Sequence, residues 1–139
     1  MRKMKLNFSV DGNNFLLAGE ASGQVKKVLR QLGIPADIIR KIAISMYEAE
    51  INMVIHGGGG EIDVEITPEK VYLVLTDEGP GIPDIELAMQ EGYTTASNEV
   101  REMGFGAGMG LPNIKRYSDD LIVKSEPGKG TTVEIVVLL

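Results

Sequence analysis

Three glycine-rich segments and one pair of polar residues on a predicted helix are the features of this chain that suggest chemistry. Glu48 and Asn52 stand four residues apart, and the glycine segments follow them at residues 77–81, 104–110 and 130–132. Glycine lets the backbone approach a ligand closely and adopt positive φ, and main-chain N–H groups bind anions. Glycine loops combined with a helix-borne carboxylate and amide therefore indicate a site for the phosphate chain of a nucleotide.

The pair Glu48 and Asn52 suits a magnesium-bound triphosphate. Residues at positions i and i+4 lie on the same side of a helix, so the two side chains are expected to be neighbours. The amide oxygen of Asn52 can ligate the metal without adding negative charge, and the carboxylate of Glu48 can accept a proton. The alternative is the solvated edge of an amphipathic helix, and the pair alone does not decide between the two.

Asp77 follows the apolar segment 71–75, where a carboxylate could accept a hydrogen bond from the exocyclic amino group of a base. Gly79 and Gly81 would allow a planar ring to lie against the main chain. A simple turn is the alternative, because Asp-x-Gly-Pro-Gly is common turn chemistry. Taken in isolation, this segment is more typical of a turn.

The segment at residues 104–110 has a glycine at every second position and runs directly into a predicted helix at Leu111-Pro112. This order places N–H groups and a helix N-terminus where phosphates can bind, and proline is tolerated in a first helical turn. The pattern matches neither the P-loop nor the dinucleotide-binding fingerprint.

Composition narrows the classes of function. The 139 residues form a single predicted domain, contain no cysteine and have His56 as the only histidine. Thiolate metal sites are excluded, and zinc hydrolases and Cys–His or Ser–His catalysis are disfavoured. The net charge of -6 disfavours binding to nucleic acid or to anionic membranes. Without a signal peptide or a long apolar run, the sequence predicts a cytoplasmic protein.

The apolar patterns predict the order β-α-α-β-β-α-lid-α-β-β. Hairpins dominate the strand connections, which favours an α+β, two-layer sandwich with a mixed, mainly antiparallel sheet and helices on one face. A short helix is predicted over residues 83–91. Residues 92–104 are mostly polar and lack periodicity, so they are predicted to form a mobile lid whose only cation is Arg101.

The four motifs resemble, in order, the N, G1, G2 and G3 boxes of the GHKL, or Bergerat-fold, ATPase superfamily of gyrase, Hsp90, histidine kinases and MutL. The resemblance covers nearly the whole chain. Within the superfamily, the chain is similar to the anti-sigma-factor serine/threonine protein kinases, and most of all to the stress-response switch kinases. The segments that carry this closer similarity are residues 48–57, which match Glu-x-x-x-Asn-x-x-x-His-Gly, and residues 77–85 and 106–112.

The resemblance implies a Bergerat ATP-binding fold with ATP and Mg²⁺ as ligands. Glu48 would be the general base, Asn52 would ligate Mg²⁺ and Asp77 would bind the adenine amino group. Gly81 and Thr132 would line the base pocket, and the phosphates would contact the glycine loop before the last helix. The full set implied to bind the nucleotide is Asn52, Asp77, Gly79, Gly81, Gly104, Gly106, Gly108, Met109, Gly110, Leu111 and Thr132. No catalytic role is assigned to His56.

The implied function is an ATP-dependent serine/threonine protein kinase and anti-sigma regulatory factor that acts in a partner-switching pathway. Its expected partners are a small antagonist protein with a phosphorylatable Ser or Thr, a sigma factor or other regulator, and a second copy of the chain. Two alternatives are a non-catalytic ATP-dependent binding module and a detached histidine-kinase-like ATPase domain. The presence of Glu48 favours the kinase. Glu50 and residues 57–60 have no explanation from the sequence.

Overall fold

A computed structural model describes residues 3–11, 19–55, 59–79, 110–126 and 128–139. The helix predicted over residues 83–91 and the lid predicted over residues 92–104 lie outside these ranges. The elements, in chain order, are β1 (Met4–Asp11), α1 (Glu20–Gln31), α2 (Ala36–Ile55), β2 (Gly59–Ile66), β3 (Lys70–Asp77), α3 (Gly110–Tyr117), β4 (Asp120–Glu126) and β5 (Gly130–Leu138).

The five strands form one sheet in the order β1-β2-β3-β5-β4, and each neighbouring pair is antiparallel. The final hairpin therefore folds back so that β5, rather than β4, pairs with β3. Helix α2 packs against β1, β2, β3 and β5, with α1 and α3 beside it. The predicted two-layer α+β architecture is confirmed, and all the described strand pairs are antiparallel.

The core lies between the sheet and α2. Alternate residues of the central strands point toward the helices because side chains in a strand alternate between the two faces. The inward residues of β2, β3 and β5 are all buried: Ile62, Val64, Ile66, Val71, Leu73, Leu75, Val133, Ile135 and Val137. The matching apolar face of α2 comprises Ile39, Ile42, Met46, Ala49 and Met53. This helical spacing fixes which side of α2 meets the sheet.

The other face of the sheet is held by polar pairs between strands. Tyr72 donates its hydroxyl hydrogen to the carboxylate of Glu134, and Lys124 Nζ lies 3.3 Å from the same carboxylate. The hydrogen bond from Tyr72 and that from Lys124 lower the pKa of Glu134, and the hydrogen bond to Glu134 raises the pKa of Tyr72. The buried apolar groups thus lie on the helical side, which also carries the site described below.

Among the helices of the described ranges, none is long and apolar enough to span a lipid bilayer.

Candidate nucleotide-binding site

Asp77 lies at the end of β3, on the same face of the sheet as the helices, where it bridges two neighbouring segments. Its Oδ1 atom accepts hydrogen bonds from the backbone N–H of Gly79, at 2.9 Å, and from that of Thr131, at 3.2 Å. Within the described part of the chain only Oδ1 is engaged in this way. The second carboxylate oxygen of a half-buried Asp77 therefore keeps its capacity to accept a hydrogen bond from a ligand.

The two threonines at the start of β5 point to opposite faces of the sheet. Thr131 is paired with Asp77 and is buried on the face of the sheet that carries Asp77. The Thr131 hydroxyl lies 2.9 Å from the Ser125 hydroxyl. Thr132 is paired with Thr76 and Lys124, which are both exposed on the open face. The structure therefore brings Thr131, rather than the sequence-predicted Thr132, to Asp77. The strand alternation Thr131-Val133-Ile135 is the sequence signal for this choice.

The end of β3 lies between two glycines that belong to its neighbouring strands. Gly130 of β5 has φ +109°, and a Cβ atom there would overlap the carbonyl oxygen of Asp77 and lie 2.9 Å from Glu78 Cα. A Cβ atom on Gly60 of β2 would overlap the carbonyl oxygen of Thr76. Both strands thus approach the Asp77 segment more closely than a side chain allows. This approach explains one glycine of the segment 57–60, of which residues 57–58 lie outside the described ranges.

Glu48 and Asn52 are both half-buried on α2, on the side that faces α3. Glu48 Oε1 accepts a hydrogen bond of 3.4 Å from Asn113 Nδ2, three residues after the start of α3. The side chain of Asn52 makes no hydrogen bond to another residue of the described ranges. Asn113 was not identified by sequence analysis, because a single asparagine after a glycine loop carries no recognisable signal.

The glycine-rich segment before α3 is described only at its end. The helix begins at Gly110, in agreement with the predicted transition from the glycine loop to a helix N-terminus. Leu111 is 6% exposed and packs in the core, so its side chain anchors the helix. The other predicted phosphate and base contacts, Gly81, Gly104, Gly106, Gly108 and Met109, lie outside the described residues.

Glu50 has a clear structural role that the sequence did not reveal. It is 2% exposed, and its carboxylate accepts hydrogen bonds from the backbone N–H groups of Gly19, Ala21 and Ser22 at 2.9, 3.3 and 3.0 Å. The Ser22 hydroxyl donates a fourth hydrogen bond, at 2.7 Å. Because the first N–H groups of a helix have no partners within it, a carboxylate from α2 here caps α1 and complements its dipole.

Residues 33–139 match the family described as "Histidine kinase-, DNA gyrase B-, and HSP90-like ATPase". The chain belongs to this ATPase family. The match extends from the start of α2 through all the site residues described above, and it agrees with the resemblance seen in the sequence motifs.

Relatives of this ATPase domain include bacterial regulators. The chain is 36% identical over 137 residues to the anti-sigma F factor of Thermoanaerobacter sp. (strain X514), covering 95% of this chain and 90% of that protein. It is 29% identical over 115 residues to the serine/threonine-protein kinase RsbT of Bacillus subtilis (strain 168), covering 80% of each.

The fold is also found in a solved structure of the RsbU and RsbW domains of Rv1364c from Mycobacterium tuberculosis. The TM-score is 0.61 and the sequence identity 17%, over 97% of this chain and 32% of that longer chain. At this identity the comparison establishes the shared fold.

The ATPase family implies ATP as a ligand, and the residues at this site fit a magnesium-bound triphosphate. In the described ranges there is no group of three or more His, Cys, Asp or Glu residues that could hold a metal by itself. Mg²⁺ in nucleotide sites commonly keeps several waters and binds through one or two protein oxygens together with phosphates. The half-buried amide of Asn52 is suited to that sparse coordination.

Proposed function

We propose that this chain is an ATP-dependent serine/threonine protein kinase and anti-sigma regulatory factor, which phosphorylates a small antagonist protein in a partner-switching pathway. The observation that carries the proposal is the half-buried carboxylate of Glu48, one turn from Asn52 and directed toward the start of α3. The proposal is supported by relatives named serine/threonine-protein kinase and anti-sigma F factor.

In this proposal the protein contributes binding, orientation and one proton transfer. The free oxygen of Asp77 accepts the adenine amino hydrogen, while N–H groups of Gly79 and Thr131 hold Oδ1 and so fix the carboxylate plane. Asn52 would hold Mg²⁺, which would supply charge neutralisation for the phosphates. Glu48 accepts the proton of the substrate Ser or Thr hydroxyl as the hydroxyl oxygen attacks the γ-phosphorus. The bond from the γ-phosphorus to the bridging β-phosphate oxygen breaks, and ADP leaves.

The remaining pocket residues are assigned by the family pattern and by strand geometry. Gly79 and Gly81 would lie against the adenine ring. Thr131, rather than the sequence-predicted Thr132, would line the base pocket, because Thr131 shares the face of Asp77. Gly104, Gly106, Gly108, Met109 and Gly110 would contact the phosphates through their N–H groups, as is typical of loops that precede a helix.

A non-catalytic nucleotide-dependent binding module is the second candidate. Such a module needs the adenine and phosphate contacts but has no use for a carboxylate beside the terminal phosphate, where its negative charge opposes ATP binding. The position of Glu48 therefore favours the kinase.

Transfer of label from γ-radiolabelled ATP tests the proposal directly. The purified chain, incubated with Mg²⁺ and a lysate of its source cells, is expected to label Ser or Thr on one small protein, and a reaction with EDTA is the control. Label that is absent from every protein, although ATP binds, would favour the binding module.

Replacement of Asn52 by Ala tests the metal assignment. Because the Asn52 amide would hold the Mg²⁺ that binds with the phosphates, ATP affinity with Mg²⁺ is expected to fall by about 10- to 100-fold, with little change in EDTA. Asn7→Ala is a matched control, since Asn7 is exposed on the open face of the sheet and bonds Asp63. Calorimetry that gives Asn52→Ala the wild-type affinity in Mg²⁺ would show the assignment to be wrong.

We also infer a homodimer and a cytoplasmic location, which follow from the family resemblance and from the sequence. Sedimentation of the chain as a monomer at high micromolar concentration, with ATP present, would contradict the dimer.

A further inference from the structure

We propose that Glu50 is a positioning residue for the nucleotide site, because it fixes the rotation of α2 about its own axis. The inference rests on the proposed function for the roles of Glu48 and Asn52. Glu50 touches neither of them and no ligand is required for its contacts. It acts by holding α1 against the side of α2 that lies opposite the site.

Glu48 and Asn52 lie on one side of α2, and Glu50 lies on the opposite side. At 3.6 residues per turn, Glu48 and Asn52 are separated by about 40° around the helix axis, whereas Glu50 is about 160° from each. The contacts agree with this geometry, since Glu50 bonds the start of α1 and Glu48 bonds Asn113 of α3. An anchor on the α1 side therefore sets the direction in which Glu48 and Asn52 point.

The Glu50 anchor is directional and strong. Four donors lie within 3.3 Å of its two oxygens, and both Glu50 and Ser22 are buried. Hydrogen bonds to an ionised carboxylate are about twice as strong as neutral ones, and the N-terminal end of α1 adds favourable dipole charge. The anchor on the opposite side, between Asn113 and Glu48, is a single bond of 3.4 Å.

The rest of the α2 interface constrains rotation less. The face of α2 on the sheet is apolar, comprising residues such as Ile42, Met46 and Met53, and apolar packing is non-directional. A side-chain tip lies about 6 Å from the helix axis, so a rotation of about 10° moves it by about 1 Å. A misplacement of about 1 Å at a reacting group can cost about 10²-fold in rate.

Glu50→Gln is the primary test, with Glu20→Gln as the matched control. Gln keeps the volume of Glu50 but turns an NH₂ group toward backbone donors. Glu20 is exposed in the first turn of α1, and its side chain bonds no described residue, so its replacement removes the same charge from the same helix end. At a temperature where circular dichroism shows all proteins folded, transfer by Glu50→Gln is expected to fall by about 10- to 100-fold, and by less than about twofold for Glu20→Gln.

A double-mutant cycle separates positioning from a general loss of structure. If Glu50 acts through the position of Glu48, adding Glu50→Gln to Glu48→Gln should slow transfer by less than about threefold further. If the role of Glu50 is purely structural, the transfer rate of the double variant should fall by the product of the two single-variant reductions. Multiplied losses, or wild-type transfer by folded Glu50→Gln, would overturn the proposal.

Nucleotide affinity keeps the inference testable if the proposed kinase activity fails. If the wild type transfers no phosphate, the effect of Glu50→Gln on ATP affinity in Mg²⁺ is measured in two backgrounds. One background retains Asn52, and the other carries Asn52→Ala. Positioning predicts a loss of about three- to tenfold only when Asn52 is present. Equal losses in both backgrounds, or none, would contradict the role of Glu50 independently of kinase activity.

If Glu50→Gln does not fold, Ser22→Ala provides a milder variant. It removes one hydroxyl donor and keeps the three backbone donors to the carboxylate. In the same cycle, Ser22→Ala is expected to slow phosphoryl transfer by about three- to tenfold in the protein that retains Glu48. In the Glu48→Gln variant it should slow transfer little further. Unchanged transfer by Ser22→Ala would then overturn the proposal.

Discussion

Glu48→Gln is expected to slow phosphoryl transfer to the protein partner by about 10²-fold or more, while ATP affinity changes by less than about tenfold. Gln preserves the size of Glu48 and can still accept the hydrogen bond from Asn113, but it cannot take up a proton from the attacking hydroxyl. The nucleotide contacts proposed for Asp77 and Asn52 remain intact. Catalysis and binding should therefore separate in this variant.

Single-turnover transfer with radiolabelled ATP, together with calorimetric ATP affinity, measures the two effects. Glu69→Gln is a suitable control because Glu69 is exposed in the turn between β2 and β3, at the opposite end of β3 from Asp77. Transfer by Glu48→Gln at the wild-type rate would remove the catalytic role. A parallel loss of ATP affinity and transfer would instead assign Glu48 to nucleotide binding.

The fold and the family could be predicted because their signals are local. The apolar run at residues 71–75 and the alternation from Thr131 to Leu138 each identify a strand, and short turns specify antiparallel hairpins. The spacing of Glu48 and Asn52 depends only on helical periodicity. These predictions did not require knowledge of which elements are neighbours in space.

The missed features depend on tertiary neighbours. Glu50 bonds Gly19 and Ser22 across 31 and 28 residues, and helical periodicity does not reveal which helix lies on which side of α2. The choice between Thr131 and Thr132 depends on strand register, because a shift of one residue moves a side chain to the opposite face. The observed register pairs Asp77 with Thr131, which places these two residues on the same face of the sheet.

Strand register also explains why Gly130 matters to the site as more than a turn residue. Its position opposite the end of β3 brings the β5 backbone against the Asp77 carbonyl oxygen, and the next residue then donates its N–H to Asp77 Oδ1. The absence of a side chain at Gly130 is thus a condition for the orientation of the proposed adenine-binding carboxylate. A single glycine thus contributes both to the pairing of β5 with β3 and to the hydrogen bond that holds Asp77.

Gly130→Ala is accordingly expected to lower the free energy of unfolding by at least about 3 kcal/mol, through positive-φ strain and overlap with backbone atoms that cannot rotate away. Gly128→Ala is the matched control, since Gly128 has φ +80° but nothing within 4 Å of an added Cβ. It should cost only about 1–2 kcal/mol, from backbone strain alone. Urea unfolding measures both values, and the difference between them isolates the overlap.

The same pair of variants tests whether the close approach also serves the ligand. If Gly130→Ala folds at low temperature, its β5 backbone must move away from Asp77, which lengthens the bond from the Thr131 N–H and frees the carboxylate to rotate. ATP affinity of the folded variant is then expected to fall by about tenfold or more, whereas Gly128→Ala should bind normally. Equal stability losses for the two variants, or wild-type ATP affinity in folded Gly130→Ala, would contradict this account of how β5 holds Asp77 in place.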